Sequence, residues 1–280
     1  MTITWPVLLL VMAGALMHAG WNALVKSSSD KLLDTALIHV LCSLLALPVF
    51  LYLGPPPPQV WPYVLASLVI HVGYYFALAG ALKHGDLGLA YPLMRGTAPL
   101  LVALGSWAVL GEAIAPLGWL GVCLVSGGVL MLGMSAGLLR HRKAVAFALS
   151  NAVLIAIYTV VDGQGARLSG NVAQYVALLF VLDGWPFAVL VFFQRKGQVW
   201  HYSRKRWPLA SVGALASLGS YAIALWAMTV APIALVAALR ETSVLFAVML
   251  GVWLLREPWT RWRMAGALSI AAGVMTLRLS

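Results

Sequence analysis

The stretch LMRGTAPLLVALGSWAVLGE (93–112) returns 145 residues later as ALRETSVLFAVMLGVWLLRE (238–257). Each copy sinks one arginine, Arg95 or Arg240, in an apolar run and closes on a glutamate, Glu112 or Glu257. The same offset pairs Thr97 with Thr242, Gly121 with Gly266 and Gly128 with Gly273; with one residue of slip, Gly73 pairs with Gly219 and Tyr75 with Tyr221. The chain is a duplication. Arginine in hydrocarbon costs at least about 2.5 kcal/mol, so two of them at matched depth predict an interior polar site.

Working outward, hydrophobic residues fill 62% of the 280 positions, charged residues only 9%, and the mean hydropathy is +0.93. Too little charge is present to cover a soluble surface. Apolar runs of about 20 residues, the length that crosses a hydrocarbon core of about 30 Å, recur along the chain. The pattern predicts an all-α integral membrane protein of ten transmembrane helices, near 5–25, 33–53, 61–82, 87–110, 114–134, 144–162, 172–193, 207–229, 232–255 and 260–278. Five helices per copy is an odd number, so the second copy enters the membrane from the opposite side and the two five-helix repeats are inverted. The expected units are 1–139 and 144–280, joined by a basic linker, RHRK, at 140–143. The first apolar run lacks a positive n-region and a small-residue cleavage site, so it is expected to stay in the mature protein.

The net charge of +10 could suggest nucleic acid, but the position of the cations excludes that class. Lys26, Lys31, Lys83, Arg140, Arg142, Lys143, Arg195, Lys196, Arg204, Lys205, Arg206, Arg256, Arg261 and Arg263 fall beside odd-numbered connections, and only Arg167 and Arg278 lie on the other side. By the positive-inside rule the odd connections are cytoplasmic and both termini are periplasmic, in a bacterial inner membrane. Anionic lipid headgroups are the expected partners of this surface charge.

Arg95 and Arg240 are the leading substrate residues, since a guanidinium fork binds carboxylate or phosphate bidentately in a desolvated site. Alternatively each neutralises an internal acid, and Glu241 adjoins Arg240. His18, Trp21 and Asn22 in the first helix, with Tyr75, Tyr158 and Tyr221, supply aromatic and polar groups inside the spans, as a cavity wall requires. Asp183 stands mid-run in the seventh helix, where an acid must pair, protonate or face water. Asp183 and His18 are the candidates for proton coupling, with His39 and His71 also intrahelical. Glu241, Glu112 and Glu257 are assigned to coupling or gating, the last two at helix ends where they can cap backbone groups. Cys42 and Cys123 have no ligand or disulfide spacing and are expected as small core residues. No nucleophile elbow, phosphate loop or helical HExxH is present, so no enzyme activity, metal or cofactor is expected. Gly121 with Gly128 and Gly266 with Gly273 predict close packing of the fifth and tenth helices on each other or on a second copy.

Ten short helices, a five-helix repeat, the LGE and LRE endings at Glu112 and Glu257, and a glycine-rich helix after each resemble the drug/metabolite transporter superfamily in its EamA-type branch. The opening HAGWNALVK (18–26) is similar to a subgroup found beside phosphonate and small-metabolite genes. The resemblance implies a secondary transporter, a monomer or homodimer, exporting small polar metabolites such as amino acids, nucleosides or opine-type metallophores. Small multidrug resistance relatives carry a glutamate in the first helix; here His18, Trp21 and Asn22 stand instead. The expected function is export of a small carboxylate- or phosphonate-bearing metabolite by alternating access. The alternatives are a flippase for an anionic lipid-linked carrier and a proton-coupled drug exporter.

Overall fold

A computed structural model describes residues 3–85, 87–132, 142–255 and 260–280. Among them every regular element is helical, because a chain this apolar can satisfy its backbone in lipid only by bonding within each segment. The first repeat holds α1 (Trp5–Lys26), α2 (Lys31–Leu53), α3 (Trp61–His84), α4 (Leu87–Leu110) and α5 (Pro116–Leu132), with a 3₁₀ turn at Pro58–Val60. The second holds α6 (Arg142–Leu168), α7 (Val172–Gln194), α8 (Val199–Val230), α9 (Ile233–Arg240), α10 (Thr242–Leu255) and α11 (Arg261–Leu279).

Helix ends follow capping chemistry. Asp30 accepts from the N–H groups of Leu32 and Leu33, Asn171 from that of Ala173, and Thr260 from that of Arg263. Gly111, at φ +67°, ends α4 in a left-handed conformation that a side chain would resist, and aims Glu112 back at the bundle.

Among the described residues eight spans are long and apolar enough to cross a membrane, and α5 is a shorter apolar helix of 17 residues. The remaining expected span, α11, carries Arg261 and Arg263 in its first turn and Arg278 in its last, which lowers its hydropathy although it lies along α5. Three boundaries differ from the sequence reading. Helix α8 starts at Val199 and α6 continues to Leu168, because Arg and Lys stems extend a helix past its apolar stretch. The ninth span is broken after Arg240: the Glu241 N–H bonds to Ala238 O at 3.0 Å, and α10 starts anew at Thr242.

The packing is exchange-symmetric. Helix α1 lies on α8 and α3 on α6; α4 lies on α6 and α1 on α9 and α10; α2 lies on its counterpart α7, and α5 on α11. Swapping the two repeats exchanges the first two packings, exchanges the next two, and returns α2 on α7 and α5 on α11 to themselves. A Cβ on Gly121 would sit 2.7 Å from the Leu277 side chain, and one on Gly128 would sit 2.7 Å from the Gly266 carbonyl, so α5 and α11 meet backbone to backbone. Cys42 is buried as expected, whereas Cys123 is exposed, because the α5 face that meets α11 is the one holding Gly121, Val125 and Gly128.

Candidate functional site

Between the repeats lies a cavity of about 430 Å³. Helical spacing builds its wall. His18, Trp21 and Asn22 share one face of α1; His71, Tyr74 and Tyr75 form an i, i+3, i+4 stripe on α3; Tyr91 and Arg95 do the same on α4. Helix α6 contributes Asn151 and Tyr158, α7 Asp183 and Phe187, α8 Ser220 and Tyr221, and α9 Arg240. The substrate candidates read from the sequence, with His18 and Asp183, are thus brought to one place.

The first-helix group is locked locally: Trp21 Nε1 donates to His18 Nδ1 at 3.3 Å, and Asn22 Nδ2 donates to the His18 carbonyl at 2.8 Å. Opposite, His71 stacks on Tyr158 at 4.5 Å and Tyr75 on Phe187 at 5.1 Å, with His39 reaching the Tyr75 hydroxyl at 3.4 Å. Asp183 lies beside this aromatic wall, and among the described residues no cation pairs with it.

The two arginines are not equivalent. Arg95 is buried, its Nε 2.9 Å from Glu241 Oε2 and its Nη2 donating to Ser243 Oγ at 3.3 Å. Glu241 therefore reaches across from the second repeat to the first, and the helix break after Arg240 is where it turns. Arg240 makes no ion pair among the described residues; its guanidinium lies over the Tyr221 ring at 5.3 Å, a cation–π contact. The cluster of two arginines and one glutamate carries a net charge of +1. A pocket of about 10 Å³ between Arg95, Arg240 and Glu241 has room for about one water.

Glu112 lies away from the cavity. Its carboxylate accepts from the Ile233 N–H at 3.1 Å, capping α9, and pairs with Arg167 at 2.6 Å. Arg167 in turn donates to the carbonyls of Met228 (2.7 Å) and Ala231 (3.0 Å). This latch ties the end of α4 to α6, α8 and α9. At the other end Arg206 donates to Asp34 and to the Leu24 carbonyl, both at 3.0 Å, and Arg195 pairs with Asp30 at 3.1 Å. The cavity extends toward that second end, where Val25, Lys31, Thr35 and Leu82 line it. Glu257, the repeat mate of Glu112, lies outside the described residues.

Sequence reading missed Asp162. Its helix was expected to stop there; instead α6 continues to Leu168, and Asp162 is fully buried between Tyr175 and Tyr221. The available signal was the small-residue run Gly163, Gly165 and Ala166, which continues a packing face past the acid. The Asp34–Arg206 tether was missed as well, since Arg206 was read only as a topology charge.

A cavity lined by charged, polar and aromatic side chains thus lies between the two repeats of a multi-pass helical membrane protein. The chain belongs to the EamA-like transporter family, whose model matches residues 5–134 and again 142–279. It is also similar to the spermidine export protein MdtI of Salmonella newport and of Salmonella heidelberg, at 33% identity over 70 residues, which is 25% of this chain and 64% of theirs. The chain thus matches just under two thirds of the length of those relatives. A crystal structure of a protein with 18% sequence identity superposes with a TM-score of 0.75, covering 98% of this chain and 96% of that one, and it shows the shared fold.

Proposed function

We propose that the chain is a bacterial inner-membrane exporter of a small polar metabolite bearing a carboxylate or phosphonate, working by alternating access. In this reading ten crossings form two inverted repeats, 1–139 and 144–280, about the linker 140–143, with both termini periplasmic. The observation that carries it is the unequal pair of arginines: Glu241 neutralises Arg95, while Arg240 faces the cavity with its fork uncommitted. A carboxylate or phosphonate can engage Arg240 bidentately. An ammonium group on the same molecule, as in an amino acid, has Asp183 and the Tyr75–Phe187 stack to meet it. The latch of Glu112 and Arg167 holds one end shut while the cavity reaches the basic end, which supports an inward-facing resting state.

Spermidine, named for the Salmonella relatives, is a polycation with nothing to offer Arg240. The test is thermal stabilisation of the purified protein across amino acids, aminophosphonates, dicarboxylates and spermidine. Stabilisation by an anion-bearing compound, absent in Arg240→Ala, supports the reading; stabilisation by spermidine alone overturns it.

A further inference from the structure

Asp162 is the acid that the arginine site leaves unexplained. It stands within α6, has no exposed surface, and pairs with no cation among the described residues. Its oxygens are held separately: the Tyr175 hydroxyl donates to Oδ1 at 2.8 Å, and the Tyr221 hydroxyl donates to Oδ2. Ser67 and His71 face it from α3, with the Ser67 hydroxyl 3.2 Å from His71 Nδ1, and Tyr158 faces it from its own helix. Behind Tyr221 lies Arg240. These are the charged and titratable groups that surround it.

A carboxylate shut away from water is stabilised by a cation, by donors or by a proton, and here only donors are in place. Three of its neighbours, Tyr158, Tyr221 and His71, also line the cavity, whereas Asp162 does not. The acid therefore sits one hydrogen bond behind the cavity wall at Tyr221, with His71 a step further off beyond Ser67. We propose that Asp162 is the proton-binding residue of the transport cycle, exchanging its proton with the cavity through Tyr221 and the Ser67–His71 pair. The step is a single proton transfer. The Tyr221 hydroxyl passes its proton to Oδ2 and takes another from a hydronium ion in the cavity, and the protonated Oδ2 then donates to the Tyr221 oxygen. Tyr221 loses its acceptor and turns its own hydrogen toward the cavity beside Arg240. Deprotonation returns both groups to their starting bonds.

Resting on the reading of Arg240 as an anion site, the consequence has a sign. Neutral Asp162 removes a negative charge behind Tyr221 and frees a donor toward the ligand, so proton and anion favour each other's binding, reciprocally. Anion affinity falls as the pH rises through the Asp162 titration, by at most about tenfold per pH unit for one linked proton.

The experiment is infrared difference spectroscopy of the full chain in lipid, acidic minus alkaline, without ligand and then with 2-aminoethylphosphonate. The wild type is expected to show the C=O stretch of a protonated carboxyl group, lost in Asp162→Asn and moved to higher pH by the phosphonate. Tyr221→Phe, which keeps the ring beneath Arg240 but removes the donor, is expected to retain the band with a smaller shift. A titrating band that survives in Asp162→Asn, or one abolished by His71→Gln instead, overturns the proposal, and so does the absence of any such band. If Asp162→Asn does not fold, a reduced phosphonate shift in Tyr221→Phe decides the coupling, and a shift of wild-type size overturns it. Failure of the phosphonate to bind the wild type at all counts against the anion site, while the ligand-free spectra still decide the Asp162 assignment.

Discussion

Arg95 and Arg240 occupy the same place in the two repeats and both line the cavity, yet one is held by a counter-ion and, among the described residues, the other is not. The residue after each explains the difference. Glu241 follows Arg240, whereas Gly96 follows Arg95, and a Cβ on Gly96 would already lie 2.7 Å from the Leu130 side chain on α5. The second repeat can therefore send an acid to the first, but the first has no room to return one. The two copies place two cations at matched depth, and the Gly96–Glu241 difference makes the site asymmetric. The helix follows suit: α4 runs unbroken through Pro92 and Pro99, while its counterpart breaks after Arg240 without a proline at the break.

The largest effect should come from separating the buried pair. Arg95→Ala or Glu241→Ala alone leaves one uncompensated charge in the bundle, and each is expected to cost about 3–5 kcal/mol of stability, read as denaturation midpoints in detergent. Arg240→Ala should leave that midpoint nearly unchanged. Equal destabilisation by both arginine variants would dissolve the distinction between them.

A smaller effect follows at the glycine that enforces the asymmetry. Gly96→Ala presses a methyl group on Leu130, and overpacking of this kind costs about 1–3 kcal/mol. Wild-type stability in that variant would mean that α4 and α5 have slack, and that sterics do not keep an acid from this position.

The smallest concerns the latch. Glu112→Gln keeps an acceptor for the Ile233 N–H but loses the ion pair to Arg167, whose side chain is 27% exposed, so about 1 kcal/mol or less of stability is at stake. Its informative readout is access: a cysteine placed near Ala231 should become more reactive to a water-soluble thiol reagent. Unchanged labelling would show that the charge does not hold this end shut. Orientation is tested separately, with a reporter after Ser280 expected in the periplasm and one at Lys143 in the cytoplasm.

The repeat, the helical class and the residues lining the cavity were legible because burial in lipid leaves few alternatives: apolar runs must be helices, and polar side chains within them must turn inward. The pairing was less legible. LMRG and ALRE show the Gly96–Glu241 difference in plain letters, but only the fold shows that Glu241 reaches Arg95 and not its own neighbour. The break after Arg240 carries no local signal, since ALRETS contains neither glycine nor proline; it arises from where Glu241 must point. Asp162 escaped notice because the apolar count stops at it while the helix goes on.

In the proposed function Arg240 binds the anion while the Arg95–Glu241 pair supports the architecture. The most direct test of this is calorimetric titration of an anion that stabilises the wild type into Arg240→Ala and into the double variant Arg95→Ala with Glu241→Ala, which removes the buried charges together. A loss of about 1.5–3 kcal/mol is expected in Arg240→Ala, the worth of a hydrogen bond to a charged group, with partial recovery in Arg240→Lys and near wild-type affinity in the double variant. Wild-type binding by Arg240→Ala, with binding lost in the double variant, would contradict it and move the anion site to Arg95.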